Sequence, residues 1–306
     1  MRQAFVRTIE KLAEKDKRLV LLTADLGFTV FENFRRKFPD RFFNVGVAES
    51  NMVGMAAGMA LSGLIPVAYS IATFASMRPF EFIRNDVCFQ NANVKIVGVG
   101  GGLGYGSAGF SHTNYEDLSL LRPLPNLTIL SPVDPVETEI LTRLAIKHTG
   151  PVYLRLGKVG EPAIHLKKPK ISLGKGLVFK PGKQIAVFST GSITANVMKA
   201  VKILQTRRLD PTVIIMPTIK PLDKALIKKI AGTHPYIFSV EEHSIIGGLG
   251  SAIAEALSEL NSKVNFKRIG INDSYYKTVG NQDFLRHRYG LMPDQIAVVV
   301  KQSSIV

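Results

Sequence analysis

The sequence is short of the features that mark several other classes of protein. Its single cysteine, Cys88, allows no intramolecular disulfide and no cysteine zinc site, so a reducing cytosol fits best. The opening MRQAFVRTIEKLAEKDKR lacks the apolar block of a signal peptide and reads as an amphipathic helix, so export is not expected. The one long uncharged stretch runs from position 50 to position 77. Pro66 divides it into a small-residue helical half, NMVGMAAGMALSG, and a strand-like half, PVAYSIATF. Neither reaches the ~20 residues of a membrane span. Gly54 and Gly58 form a G-x-x-x-G, which close packing of a buried helix explains as well as a membrane does. There is no G-x-x-x-x-G-K-[ST] loop, no H-E-x-x-H, no G-x-S-x-G elbow and no clustered His or Cys for a transition metal.

What remains is an ordinary folding composition, 46% hydrophobic and 21% charged over 306 residues, long enough for two domains at roughly 100–200 residues each. The 39 Lys and Arg exceed the 24 Asp and Glu, for a net charge of +15, which favours anionic partners such as phosphorylated metabolites. The densest basic runs are Lys167, Lys168 and Lys170, then Lys175, Lys180 and Lys183, then Lys224, Lys228 and Lys229. No aromatic residues interleave them in a binding motif, so a solvated surface is expected in place of a nucleic-acid patch.

Strand-like runs alternate with helical periodicity throughout. VLLTADL, FFNVGV, PVAYSIATF, VKIVGVGG, LTILSPV and PVYLRL come first. A Gly, Pro and Lys-rich passage with room for one strand follows, and then QIAVFSTGS, TVIIMPT, PYIFSVEEH and KVNFKRIGI. The pattern predicts an α/β protein of two domains, each a mostly parallel sheet covered by helices. The expected boundaries are 1–165, a linker at 166–183, and 184–306.

Four places are candidates for chemistry. Glu49, in NVGVAESNMVGMAAGMA, stands where a buried strand gives way to an apolar helix. It is either a first-turn acid favoured by the helix dipole or a carboxylate that shares a proton with a heterocyclic nitrogen. The run VGVGGGLGYGSAGFSH has Gly104, Gly106 and Gly109 at G-x-G-x-x-G spacing. It enters no helix before His112, so a closely approached active-site loop presenting His112 is expected over a nucleotide-binding turn. Phe74 and Phe80 flank Met77 in ATFASMRPFEF, a surface that packs in the core or stacks on a flat heteroaromatic ring. Arg155, in PVYLRLG, is costly to bury unless paired, and reads either as a salt-bridge partner or as a phosphate clamp.

Taken in order, these segments resemble the C-terminal two-thirds of a thiamine-diphosphate transketolase over nearly the whole chain. LLTADLG, RFFNVGVAESNMVGMAAGMALSGLIPVAYSIATF, the loop ending in His112 and PVYLRLG resemble its pyrimidine-binding domain. STGS, EEHSIIGGLGSAIAEAL and FLRHRYGLMPDQI resemble its C-terminal domain. The resemblance implies a transferase of two-carbon ketol units from a ketose or ketose phosphate to an aldose. In it Glu49 contacts the ring nitrogen of the cofactor's aminopyrimidine and favours its imino tautomer, Phe74 stacks on the pyrimidine, Phe80 belongs to the same surface and Asp25 lies near the thiazolium. It further implies that His112 bonds a donor sugar's hydroxyl or carbonyl, and that Arg155 and Thr29 hold a sugar phosphate.

Full-length members of that family bind Mg²⁺ and the diphosphate through an N-terminal Gly-Asp-Gly segment, which does not occur here. The resemblance therefore implies the C-terminal subunit of a split enzyme. A separate N-terminal subunit would carry the diphosphate and Mg²⁺ ligands, in an α2β2 heterotetramer with no nucleic-acid or membrane partner. The start at Met1, directly before the first helix, agrees with a natural subunit. Where transketolases show a GEDGPTH-like segment, this chain reads GSAGFSH, with Ser107 and Ala108 in place of the acids and glycine around Gly100 in place of a second histidine. Donor recognition is accordingly expected to differ from that of ordinary pentose and hexose phosphates. Within the same cofactor class the alternative is a deoxyxylulose-phosphate-synthase-like or 2-oxo acid dehydrogenase beta-type subunit. Outside it stand a noncatalytic subunit that kept the fold and, more distantly, a nucleic-acid-binding protein.

Overall fold

A computed structural model describes residues 1–27, 29–158, 160–260, 262–275 and 277–304. Six strands come from the first half: β1 (Leu19–Thr23), β2 (Phe42–Asn44), β3 (Ile65–Ile71), β4 (Lys95–Val99), β5 (Thr128–Leu130) and β6 (Val152–Leu156). Six follow: β7 (Leu177–Lys180), β8 (Ile185–Ser189), β9 (Thr212–Ile215), β10 (Thr218–Lys220), β11 (Tyr236–Ser244) and β12 (Asn265–Ile271). They form a seven-stranded sheet in the order β10-β5-β6-β4-β3-β1-β2 and a five-stranded sheet in the order β12-β11-β8-β9-β7. Among the described residues only β10 and β7 are strands that run antiparallel to their neighbours. This is the two-sheet, mostly parallel α/β architecture that the alternating pattern predicts.

The composition of the central strands explains their position. LVLLT, KIVGV and VYLRL are buried at every residue, as strands covered on both faces must be. Successive side chains point to opposite faces. Leu19 and Leu21 of β1 therefore join a cluster with Phe5 and Ile9 of the helix Arg2–Ala13. Val20 and Leu22 join another with Met52, Val53 and Ala56 of the helix Glu49–Leu61. The second cluster continues into Phe188, Ile214, Ile237 and Ile253 beside the second sheet, so the two sheets share one apolar mass.

The structure fills in one expectation of the sequence reading and departs from it in another detail. The segment expected to be a linker at 166–183 contains β7, the edge strand of the second sheet. The second half also returns β10 to the first sheet, against β5. Edge strands of three or four residues carry almost no periodicity. The uncharged stretch resolves as expected into a helix and β3. A side-chain carbon added at Gly54 would meet the Phe82 ring at 3.5 Å, whereas at Gly58 nothing lies within 4 Å.

The strand order sets the site. Because β2 lies on one side of β1 and β3 and β4 on the other, the chain reverses direction across the sheet between β1 and β3. In open α/β sheets the crevice beyond the carboxyl ends at such a point is the usual ligand site. Asn44 and Ser70 lie at the carboxyl ends of β2 and β3, and Asp25 and the glycine-rich segment from Gly100 follow those of β1 and β4.

Candidate active site

Glu49 is the first residue of its helix, after Ala48, whose side chain supplies no cap. The carboxylate is 2% exposed, and a buried charge persists only when paired and hydrogen-bonded. Its Oε1 accepts from Ser70 Oγ at 3.1 Å and its Oε2 from Arg78 Nη1 at 2.8 Å. The acid thus sits in the first turn, as the dipole reading expects, but its described bonds go to side chains from elsewhere on the carboxyl edge. Ser70 is buried near the end of β3, and Arg78 follows the short helix Ala72–Ser76. Val47, Ala48, Ser50 and Asn51 complete an open depression of about 650 Å³ around the pair.

The same guanidinium lies over the Phe74 ring, 4.0 Å from its centre. Phe74 in turn meets His112 edge-on, with ring centres 5.2 Å apart. His112 ends two short turns, Gly106–Ala108 and Phe110–His112. Its Nδ1 lies 3.0 Å from Ser111 Oγ. Thr73 Oγ1 donates to the Thr113 carbonyl at 2.9 Å, which pins the histidine turn to the Phe74 helix. Glu49, Phe74 and His112 are therefore joined through Arg78 into one continuous surface.

The glycines before His112 serve close approach. Gly102, at φ +74, faces Glu242, whose Oε1 would lie 2.5 Å from an added side-chain carbon, and at Gly106 such a carbon would lie 2.2 Å from Leu285. Both neighbours belong to the second half of the chain, and no helix of eight residues or more follows the loop directly.

The other predicted residues divide. Asp25, at φ +50, exchanges bonds with Asn44 at the same edge: its N–H donates to Asn44 Oδ1 at 2.9 Å and its Oδ1 accepts from Asn44 Nδ2 at 3.1 Å. Non-glycine residues in that region are uncommon and cluster at functional loops. Thr29, at φ +62, is exposed, and its N–H donates to Glu32. Phe80 is partly buried, packs against the apolar cluster of the Glu49 helix and has no ring contact with Phe74 among the described residues. Arg155 is 6% exposed. Its Nε donates to both Asp117 oxygens, at 2.8 and 3.1 Å, and its Nη2 to the carbonyls of Asn114 and Glu242, at 3.1 and 3.2 Å. Of its two readings this is the salt bridge. A phosphate would have to displace Asp117 from a buried pair, at a cost of about 3–5 kcal/mol, so the geometry argues against a phosphate role for it.

Sequence reasoning missed Ser70, Arg78 and Asn44. Ser70 is the polar residue inside PVAYSIATF, and Arg78 is the first charge after Glu49; both stand out locally but have no partner until the chain folds. Among the described residues no three His, Cys, Asp or Glu side chains group to hold a metal ion. None of their helices is long and apolar enough to cross a membrane. Lys167 and Lys168 border a basic depression of about 280 Å³ shared with Arg7, Lys11 and Arg143.

Comparison with known proteins places the fold in a known family. Residues 1–159 match the transketolase pyrimidine-binding domain and residues 174–296 the transketolase C-terminal domain. The chain is 38% identical over 300 residues to a protein of Methanocaldococcus jannaschii named as a transketolase C-terminal section, covering 97% of this chain and 94% of that one. It is 35% identical to an apulose-4-phosphate transketolase subunit of Actinobacillus succinogenes, covering 91% of this chain and 90% of that one. Among solved structures, a split gene transketolase described as an inactive beta4 tetramer superposes with a TM-score of 0.89 at 36% identity, over 99% of this chain and 97% of the other.

Proposed function

The chain belongs to the transketolase family, and from that premise we propose that it is the pyrimidine-side subunit of a split thiamine-diphosphate enzyme that transfers a two-carbon ketol unit from a ketose to an aldose. Members of the family use thiamine diphosphate, which when bound supplies the thiazolium carbon that cleaves and forms the C–C bonds. The observation that carries the reading is the buried Glu49 carboxylate facing the Phe74 ring, with Arg78 between them.

That arrangement tests whether the residues fit the cofactor. The Arg78 guanidinium is planar and cationic, donates N–H to the carboxylate, and lies against an aromatic face. An aminopyrimidine has the same flat shape and offers similar donors, so a site that accommodates one suits the other. In this reading Glu49 holds the ring nitrogen and its proton, and Ser70 fixes the carboxylate's second oxygen. Phe74 covers the ring face, and Asp25 lines the thiazolium side. His112, oriented by Ser111, offers a proton to a donor sugar's hydroxyl or carbonyl.

The diphosphate and Mg²⁺ belong, in the same proposal, to a separate N-terminal subunit, and the working assembly is an α2β2 heterotetramer. The relative named as one subunit of a transketolase and the inactive beta4 tetramer of the split-gene relative support a requirement for a partner. Calorimetric titration of thiamine diphosphate and Mg²⁺ tests it directly. Weak or absent binding is expected with this chain alone and tight binding with the chain mixed with its N-terminal partner. Tight binding by the chain alone would overturn the shared site.

A further inference from the structure

The second sheet has its own point of reversal. Its order β12-β11-β8-β9 puts β9 on one side of β8 and β11 and β12 on the other, so the crevice at the carboxyl ends of β8 and β11 is where an open α/β sheet ordinarily takes a ligand. Here that crevice faces the first domain. Residues Glu241 to Ser244 run on past Val240, the last residue of β11 that pairs with β8, and of these Glu242, His243 and Ser244 bond to the loop that carries His112 and the turn beyond it.

We propose that Glu242 is a positioning residue: through it the second domain sets the Gly100–His112 loop and so the place of His112 against Phe74. The proposal rests on the functional reading above and adds to it a role for the second domain.

The geometry is specific. Glu242 Oε1 accepts from the Leu103 N–H at 2.7 Å and from Gln282 Nε2 at 2.8 Å, and its Oε2 accepts from Arg286 Nε at 2.5 Å. Arg286 is itself 8% exposed and donates to Ser192 Oγ at 3.1 Å, so the carboxylate's position is fixed from behind. The Glu242 carbonyl accepts from Arg155, which also holds the Asn114 carbonyl. Asn114 and Gly102 exchange N–H to O bonds of 2.8 and 2.6 Å, closing the base of the loop. Next to Glu242, His243 accepts at Nε2 from the Leu118 N–H at 3.1 Å. Its Nδ1 faces the Ser244 carbonyl at 2.8 Å, which requires Nδ1 to be the donor and leaves the ring neutral.

The tip of the loop is held separately. Phe110 meets Tyr275 edge-on with centres 4.7 Å apart, although both rings are largely exposed. Leu285 fills the space that a side chain at Gly106 would need. One domain thus presents the histidine loop and the other grips it at base and tip. A loop so rich in glycine has high conformational entropy to lose. Holding it in place before substrate arrives removes that cost from the binding step.

The test uses the full chain reconstituted with its N-terminal partner, in three forms: wild type, Glu242→Gln and Tyr275→Ala. Glu242→Gln retains one acceptor oxygen but cannot serve Leu103 and Arg286 together. Tyr275→Ala removes an exposed ring and leaves every buried charge paired. Hydrogen exchange across 100–112 is expected to accelerate about tenfold or more in Glu242→Gln, and at the tip only in Tyr275→Ala, with the Glu49 helix unchanged. KM for the donor sugar is expected to rise about tenfold in Glu242→Gln, with kcat changed less and cofactor affinity unaltered. Unchanged exchange over 100–112 in folded Glu242→Gln would overturn the proposal, as would loosening that extends equally to the Glu49 helix. Exchange needs no turnover. A wild-type complex without ketol transfer would therefore sink the functional reading while still deciding the role of Glu242.

Discussion

Arg78 and Glu49 form an ion pair 2.8 Å long in which the carboxylate side chain is 2% exposed and the guanidinium side chain 45%. The asymmetry matters. Arg78 can regain water when it leaves, whereas Glu49 stays buried, where an unpaired charge is costly, and must find another donor. On the proposed reading the cofactor's ring takes the place of the cation over Phe74.

That exchange has a measurable consequence. In Arg78→Met the competitor for the Glu49 carboxylate and the Phe74 face is gone, and thiamine diphosphate should bind the reconstituted complex more tightly, by roughly fivefold or more, since the ion pair and the cation–π contact no longer have to be given up. Calorimetry gives the dissociation constant. Equal or weaker binding would mean that Arg78 does not stand in the ring's place.

Glu49→Gln asks what the carboxylate does once the ring is seated. Glutamine keeps an acceptor for Ser70 or Arg78, so the fold and the thermal midpoint should hold. The charge that retains a proton on the ring nitrogen is lost, and general acid–base contributions of this kind are worth ~10²–10⁴ in rate. Turnover of the reconstituted complex should fall by about that factor. A complex that works at the wild-type rate would leave Glu49 as a structural first-turn acid.

Much of the fold was legible because it is written in periodicity. LVLLT and KIVGV are strands that only a doubly covered sheet accommodates, and Glu49 stands out because nothing charged follows it until Arg78. What stayed hidden depends on contacts between residues far apart in the chain. Leu103 and Glu242 are separated by 139 positions, and nothing local about PYIFSVEEH says that its acids reach a loop in the other domain. The glycines near His112 carried a true signal of close approach, but the sequence did not name what approaches. Phe80 shows the opposite limit. Its type and spacing match Phe74, and only the folded turn after Ser76 shows that the two rings meet different neighbours.

Arg155 gives a prediction that separates its two readings by the kind of effect. Arg155→Met leaves Asp117 buried, with Tyr153 Oη still donating to it at 2.7 Å but its guanidinium partner gone. Stripping one member from a buried pair costs about 3–5 kcal/mol, so the urea midpoint should drop sharply. A folded variant with wild-type stability and a raised KM only for phosphorylated sugars would restore the phosphate clamp.

The remaining prediction concerns pH and a group remote from the site. Glu137, fully buried near the start of the helix Pro135–Lys147, is pushed up from 4.5 to about 7, chiefly by burial, with Asp134 adding to the effect and the Val133 N–H and His165 opposing it. Between those values the folded chain holds a proton that the unfolded chain has released, so stability declines as pH rises through that window. His165 lies 3.6 Å from Glu137 and 3.2 Å from Asp134. Burial pulls its pKa down, but the bond to Asp134 and the two carboxylates raise it overall, and a raised histidine likewise loses its contribution as pH rises through its folded value. His243, lowered to about 4 mainly by burial, acts in the opposite sense below its ordinary value, equally in wild type and in a Glu137 variant. Comparing the two therefore reads the contribution of Glu137 together with its effect on His165. Urea midpoints measured from about pH 5 to pH 8 should fall for wild type by the equivalent of ~3 kcal/mol more than for Glu137→Gln, since each pH unit of that window counts for about 1.4 kcal/mol. Parallel curves for the two proteins would show that Glu137 is ionised throughout, with its charge carried by His165.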